Sequence, residues 1–163
     1  MPQVLPVLAE LEASGANIVP ILSHTLVTTA TRHGTPDDWY GRVVAITGRQ
    51  PLTSIAEVEP FGPDRTLDLL VVAPCTGNTM AKIANAVNDT AVTMAVKTQL
   101  RNERPVLLSI TTNDALGFNA YNLARLLNVR HVFFVPFGQD KPDEKPASLV
   151  AHLELLVAAA EDV

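Results

Sequence analysis

The sequence predicts an α/β fold in which a parallel β-sheet is covered by helices on both faces. Short apolar segments alternate along the 163 residues with segments that repeat apolar side chains at helical spacing. The apolar segments do not alternate with polar residues, which is typical of parallel strands buried on both faces. The length suits one full hydrophobic core, so we assign residues 1–163 to a single domain.

The amino-terminal third is predicted as helix, strand, loop and helix. Residues 4–13 have helical spacing and are followed by a glycine. Residues 17–22, NIVPIL, are predicted as a short buried strand, and the threonine-rich residues 23–34 as a loop. A threonine-proline pair with two aspartates behind it predicts a capped helix over residues 35–48.

The remainder is predicted by the same criteria. Residues 49–66 contain three prolines and predict an irregular connection with one short extended piece. The clearest strand is LDLLVVA, residues 67–73, and a helix begins at about Asn78. The later predicted elements are a helix over 91–102, a strand over 105–110, a turn and helix within 111–128, a strand over 131–137, a loop over 138–146 and a helix over 147–163.

The predicted order begins with a helix, although a doubly wound sheet normally begins with a strand. The turn after that first strand is a favoured phosphate site. We therefore expect the first strand and its phosphate turn to be missing from this sequence.

Composition argues against several classes of function. The net charge is −5 and the 12 Lys and Arg residues form no dense run, which argues against binding of nucleic acid or anionic membranes. No apolar stretch reaches the ~18 residues that span a bilayer. A single cysteine cannot form an internal disulfide and predicts a cytoplasmic location. No cysteine or histidine spacing predicts a zinc site.

Small polar residues follow each predicted strand. Ligands of open α/β sheets bind beyond the carboxyl ends of the strands, where hydroxyls, amides and helix N–H groups can hold a polar anion. Helix capping is the alternative explanation for each set, but four sets at one sheet edge favour a binding site. The candidate binding residues are Ser23, Thr25, Thr76, Gly77, Asn78, Thr79, Thr112 and Asn113.

Four stretches resemble the flavin-dependent cysteine decarboxylase superfamily, and most closely its branch of dipicolinate synthase B subunits. They lie in order and at the family's spacing across most of residues 15–151, and the resemblance implies a flavodoxin-like fold. The stretches are GANIVPILSHT, APCTGNTMAKIANAVND, LRNERPVLLSITTNDALGFNAYNLARLLN and VPFGQDKPDEKPASLVA.

The resemblance also implies an activity and partners. It implies an oxidoreductase subunit, inactive alone, that acts in sporulation with the synthase's dehydrogenase-like A subunit, which carries NADP. The pair would oxidise dihydrodipicolinate to dipicolinate. Superfamily members commonly form homo-oligomers. The alternatives are a free-standing FMN-dependent decarboxylase and a scaffold subunit without cofactor.

FMN is the cofactor that the resemblance implies. In the superfamily the Asn-Thr segment contacts FMN, which points to Thr76, Gly77, Asn78 and Thr79. The superfamily's first strand and turn hold the flavin phosphate, so their expected absence predicts weak FMN binding. The decarboxylases use a catalytic histidine, but neither His24 nor His33 lies in a matching motif, and the catalytic residues stay unassigned.

Two further sets of residues each have a functional and a purely structural interpretation. Arg32, Arg101 and Arg104 are candidates to bind the two carboxylates of dipicolinate, with ordinary surface charge as the alternative. Cys75 precedes a predicted helix start, where a thiol is activated, but a buried and inert side chain is the favoured interpretation.

Overall fold

The computed structural model describes residues 2–31, 33–64 and 67–163. Within this part of the chain, no helix has both the length and the apolar character needed to cross a membrane. The elements are α1 (Val4–Ala13), α2 (His24–Thr28), α3 (Pro36–Thr47), α4 (Ile55–Val58), α5 (Phe61–Asp64), β1 (Leu70–Cys75), α6 (Gly77–Ala84), α7 (Ala91–Arg101), β2 (Val106–Thr112), α8 (Ala120–Leu126), β3 (Val132–Phe134), β4 (Phe137–Gly138), β5 (Leu149–Ala151), a 3₁₀ helix (Leu153–Leu155) and α9 (Leu156–Glu161).

Strand β2 is the centre of the sheet. It pairs in parallel with β1, where Leu70 lies opposite Val106. On its other side, β2 pairs in parallel with β3 at Val132 and antiparallel with β5, where Thr111 lies opposite Val150. Strand β4 pairs antiparallel with β5 and completes the sheet. The sheet is therefore mixed, with its longest ladder parallel as the sequence predicts.

Helices cover both faces of β2. On one face, Met80 of α6 and Leu123 of α8 belong to the same buried cluster as Leu108. On the other face, Val7 of α1 packs in a second cluster with Leu107. Because successive strand residues point to opposite faces, the neighbours Leu107 and Leu108 anchor the two layers separately. The predicted three-layer α/β architecture is confirmed.

Two predicted helices carry the caps that their sequences indicate. The hydroxyl of Thr35 accepts a hydrogen bond from the N–H of Asp38, whose carboxylate accepts the Thr35 N–H in return, and this capping box starts α3. At its end, Gly48 has a φ of 66°, the left-handed conformation that glycine adopts without strain. Helix α7 begins with a similar reciprocal pair, Thr90 and Thr93.

The prediction for the carboxyl-terminal segment is wrong in two places. The single strand expected over 131–137 is divided into β3 and β4, because Pro136 has no N–H to donate to a ladder. The helix expected over 147–163 begins later, because Leu149–Ala151 forms β5. Leu149 and Ala151 are buried and Val150 between them is half-buried, a period-two pattern that the later leucines at helical spacing concealed.

Residues 17–34 also differ from the prediction. The strand expected over 17–22 is reduced to one parallel bridge between Ile21 and Leu52. Pro20 lacks the N–H that a longer ladder would need. The loop expected over 23–34 contains the five-residue helix α2. Its threonines have low helix propensity, which is why the sequence pattern favoured a loop.

The connection over residues 49–66 was predicted as irregular with one extended piece. Leu52 supplies that piece through its bridge, but two short helices, α4 and α5, were missed. The signal for α4 was present, since Ser54 and Glu57 have the spacing of a capping box and form one.

We expect the capping box of α4 to make stability depend on pH. Glu57 accepts hydrogen bonds from the N–H of Thr53 and from the N–H and hydroxyl of Ser54. The Thr53 N–H first, and then Ser54, lowers the pKa of Glu57 below its usual 4.5. The carboxylate therefore stabilises the fold above that pH, and its contribution is lost as pH falls through the lower folded-state pKa.

Glu57→Gln should lower the urea midpoint of unfolding at pH 7, and its difference from the parent chain should shrink toward pH 3. Glu59→Gln is the matched control, because the Glu59 side chain makes no hydrogen bond or ion pair with the described residues. A Glu57→Gln difference that stays constant over this pH range would contradict the expectation.

Candidate functional site

The candidate site begins where β1 passes directly into α6. Thr76 is the N-cap of α6, and its hydroxyl accepts a hydrogen bond from the N–H of Thr79 at 3.5 Å. The two hydroxyls lie 3.3 Å apart, so Thr76 and Thr79 are engaged with each other. Among the described residues, the N–H groups of Gly77 and Asn78 have no acceptor, as is usual in the first turn of a helix.

Gly77 brings the start of α6 against the residues that follow β2. A Cβ atom placed on Gly77 would lie 2.6 Å from the Thr112 hydroxyl oxygen and 2.9 Å from both Asp114 Oδ1 and Asn119 Nδ2. Real side chains essentially never approach other atoms so closely. A glycine is therefore required at this contact for lack of space, although its φ lies outside the left-handed region.

The residues beside Gly77 belong to a chain of side-chain hydrogen bonds that we call the Asp114 network. The Thr112 hydroxyl donates to Asp114 Oδ1 at 2.5 Å, and Asn119 Nδ2 donates to Asp114 Oδ2 at 2.7 Å. Asn122 donates to Asn119, and Asn85 donates to Asn122, both at 2.9 Å. Since Asn85 is the C-cap of α6, the network joins both ends of α6 to the loop after β2 and to α8.

The loop between β4 and β5 packs against the same region. The Ala147 carbonyl accepts the N–H of Leu116 at 3.0 Å, and the Ser148 hydroxyl donates to the Thr112 carbonyl at 3.3 Å. The Ser148 side chain is also the main cause that holds the pKa of Asp140 below its ordinary value. The candidate site thus has three neighbouring segments: the start of α6, the loop after β2, and the loop before β5.

The structure divides the predicted binding residues into two groups. Thr76, Gly77 and Asn78 adjoin Thr112 through the close contact at Gly77. Ser23 and Thr25 lie at the start of α2, and no hydrogen bond joins them to α6 or to the loop after β2 in the described part of the chain. A single cleft shared by all of these residues stays a prediction.

Side-chain availability also separates the predicted residues. The hydroxyls of Thr76, Thr79 and Thr112 form hydrogen bonds within the protein. Asn78 and Asn113 are exposed, and their amide groups make no hydrogen bond with the described residues. These two amides are therefore the groups beside α6 that are free to bind a ligand.

Sequence reasoning missed the role of Asp114 and Asn119. Neither residue is among the candidates that the sequence predicts, although both lie in the turn and helix predicted within residues 111–128. The structure places Asn119 before α8 and buries it, with 8% of its surface exposed. The signal available was the concentration of asparagine in residues 113–122, which is unusual for a turn that leads into an apolar helix face.

The two described arginines that were candidates to bind the carboxylates of dipicolinate lie away from the start of α6, and the third lies outside the described residues. Arg104 pairs with Asp68 at 2.8 Å and donates to the Leu67 carbonyl, so it lies at the amino end of β1, opposite the start of α6. Arg101 lines a groove of about 550 Å³ between α4, α5 and α7, together with Lys97. Arg32 lies outside the described residues. Neither described arginine therefore adjoins Asn78 or the Asp114 network.

Cys75 is buried and has the properties of an inert thiol. None of its surface is exposed, and burial raises its pKa to about 12. The described residues also contain no group of three or more His, Cys, Asp or Glu side chains that could hold a metal ion. The polar groups free to bind beside α6 are hence amides and N–H groups rather than titrating side chains.

This donor set fits a polar, anionic cofactor such as FMN. The unpaired N–H groups of Gly77 and Asn78 suit an anionic or carbonyl oxygen, because the helix dipole adds positive potential there. The free amides of Asn78 and Asn113 can each donate and accept, as the polar edge of a flavin ring requires.

Comparison with known proteins identifies relatives along nearly the whole chain. The family model described as Flavoprotein matches residues 3–160. The chain is 46% identical over 158 residues to the B subunit of dipicolinate synthase from Bacillus subtilis (strain 168), covering 97% of this chain and 79% of that protein.

Solved structures show the same fold. The B subunit of dipicolinate synthase from Bacillus halodurans C has a TM-score of 0.88 and 44% identity, covering 96% of this chain and 80% of that chain. A dodecameric FMN-dependent Ubix-like decarboxylase from Escherichia coli O157:H7 has a TM-score of 0.63 and 23% identity, covering 83% of this chain and 73% of that one. The predicted flavodoxin-like fold is confirmed by these neighbours.

We expect Gly77→Ala to be costly although alanine is the better helix former. The added Cβ would force apart Gly77 and Thr112, and overpacking of this kind costs about 1–3 kcal/mol in the free energy of unfolding. Gly41→Ala is the matched control, because Gly41 lies in α3 with nothing within 4 Å of its Cβ position. That change should stabilise by about 0.5–1 kcal/mol. Urea unfolding measures both, and equal effects would contradict the close contact at Gly77.

We also expect Cys75 to resist alkylation in the folded protein. With a pKa of about 12, only roughly one thiol in ten thousand is ionised at pH 8, and it is shielded from reagent. Iodoacetamide should label the single cysteine rapidly in urea and hardly at all without it, as mass spectrometry would show. Equal labelling rates in the two conditions would mean that Cys75 is accessible.

Proposed function

Since the chain belongs to the Flavoprotein family, we propose that it is the B subunit of a dipicolinate synthase and acts together with the dehydrogenase-like A subunit of that enzyme. The observation that carries the proposal is 46% identity over 158 residues to the B subunit from Bacillus subtilis. The FMN-dependent decarboxylase from Escherichia coli is only 23% identical and supports the fold alone.

The proposed reaction oxidises dihydrodipicolinate to dipicolinate. The substrate would lose a hydride and a proton as its ring becomes aromatic; the dehydrogenase-like partner would hold the NADP⁺ that supplies the hydride acceptor, and the proton would pass to solvent. This chain has no Gly-x-Gly-x-x-Gly fingerprint for a nicotinamide cofactor, which supports assigning NADP to the partner. The chain alone is then inactive, and the pair performs the oxidation.

We assign FMN binding to the start of α6. The N–H groups of Gly77 and Asn78 and the exposed amides of Asn78 and Asn113 are the donors and acceptors available there. When bound, FMN supplies a carrier for two electrons. The residues of this chain bind and orient it, and the hydrogen bonds of Asp114 with Thr112 and Asn119 keep the surface beneath it rigid.

Exposed apolar residues support assembly into an oligomer. Phe118 is 98% exposed, Tyr121 71% and Leu116 51%, and all three lie in the loop after β2 or the first turn of α8. Clustered aromatic and aliphatic side chains of this kind mark protein contacts. We therefore propose that this chain associates with further copies of itself in addition to its dehydrogenase-like partner.

The proposal is tested by combining the chain with a cognate dehydrogenase-like partner. Dipicolinate formation, followed by its ultraviolet absorbance, should be higher in the mixture than with either protein alone. If the partner alone matches the mixture, the chain is no working part of the synthase, and the free-standing decarboxylase becomes the better assignment.

Asn78→Ala should weaken both FMN binding and the activity of the mixture. Loss of one hydrogen-bonding amide corresponds to roughly a tenfold rise in the dissociation constant for FMN, since a hydrogen bond contributes about 0.5–1.5 kcal/mol. Quenching of flavin fluorescence measures this constant. Asn128→Ala is the matched control, because Asn128 is also exposed but lies beyond the end of α8, where its amide donates to the Ala124 carbonyl. Activity that survives Asn78→Ala, without any FMN binding by the parent chain, would favour the scaffold role.

A further inference from the structure

We propose that Asp114 is a positioning residue of the candidate site, holding the start of α6 and the loop after β2 in the arrangement that binds the cofactor. This inference rests on the proposed FMN site. Asp114 itself does not reach the free amides; it acts through Thr112, Asn119 and the contact with Gly77.

The hydrogen bonds of Asp114 organise the whole loop after β2. Its two carboxyl oxygens accept from the Thr112 hydroxyl and from Asn119 Nδ2, at 2.5 and 2.7 Å. Its backbone carbonyl accepts from the N–H groups of Gly117 and Asn119, at 2.9 and 3.2 Å. The loop therefore folds around one residue, and Asn113, which precedes it, is held between two residues that are themselves fixed.

The same carboxyl group lies beneath the first turn of α6. Asp114 Oδ1 would be 2.9 Å from a Cβ atom on Gly77, so the carboxyl group contacts the backbone there without a hydrogen bond. A negative group beside a helix N-terminus is electrostatically favourable. The position of α6 relative to Asn113 is thus set by a direct contact rather than by a flexible side chain.

The order of donors and acceptors in the network is directional. Asn119 donates to Asp114 and accepts from Asn122, which in turn accepts from Asn85. An amide at position 114 can keep both hydrogen bonds: its oxygen accepts from Asn119, and its NH2 group donates to the Thr112 hydroxyl, which can accept as well as donate. An alanine at position 114 removes both acceptors and leaves the buried Asn119 amide without its partner.

The deciding experiment compares two substitutions at position 114. Asp114→Ala should raise the dissociation constant for FMN about tenfold, because the loss of both acceptors releases the loop from α6. Asp114→Asn can keep both hydrogen bonds and should bind FMN within about threefold of the parent chain. A folded Asp114→Asn chain that binds FMN as weakly as Asp114→Ala would overturn the proposal.

Asn85→Ala separates positioning from stability. It removes the far end of the network, at the C-cap of α6, and leaves the Asp114 contacts intact. It should lower the urea midpoint of unfolding without a matching loss of FMN affinity. A loss of affinity in Asn85→Ala as large as in Asp114→Ala would mean that Asp114 acts only through general stability.

Hydrogen exchange gives a readout that does not require FMN. Amide exchange in peptides covering residues 76–84 and 113–119 should be faster in Asp114→Ala and stay at the parent rate in Asp114→Asn. If the parent chain binds no FMN, the proposed cofactor site fails, yet this exchange pattern still decides whether Asp114 fixes the two segments. Unchanged exchange in Asp114→Ala would refute its positioning role.

Discussion

The close approach of Gly77 to the polar side chains after β2 is the contact on which the candidate site depends. Two strands that run in parallel bring their carboxyl ends to one sheet edge, but that alone leaves the following segments free to splay apart. Here the first turn of α6 rests directly on Thr112 and Asp114. Because Gly77 has no side chain, α6 can approach the Asp114 carboxyl group, whose two oxygens already accept hydrogen bonds from Thr112 and Asn119.

That contact depends in turn on how β1 and β2 are buried. Leu70 and Val106 start the parallel ladder, and its register shifts between Val72 and Cys75, just before α6 begins. Strand β2 is fully buried from Val106 to Ile110, so it cannot shift without opening both apolar clusters. The polar residues Thr112 and Asp114 follow the buried part of β2 within four residues, so the position of the core strand fixes their position.

The sequence predicted the elements with strong local signals and missed those decided by distant partners. The caps of α3 and the apolar run of β1 are local, and both were predicted correctly. Strand β5 forms because Val150 pairs with Thr111, a residue distant in sequence. Residues 17–22 do not form a strand because their pairing is limited to a single bridge with Leu52. For the site, the start of α6 was predicted as polar, but the packing of Gly77 against Asn119 joins residues 42 positions apart and has no local signature.

The chemistry available at this edge is that of binding and orientation. The free groups, Asn78 and Asn113, do not ionise, and the hydroxyls of Thr76 and Thr112 are occupied within the protein. Neutral amides and helix N–H groups keep the same donors and acceptors across the physiological pH range. A surface of this kind can hold and direct a cofactor or substrate, and in the proposed function the dehydrogenase-like partner completes the movement of hydride and proton. The proposed division of labour within the synthase thus agrees with the side chains that this edge carries.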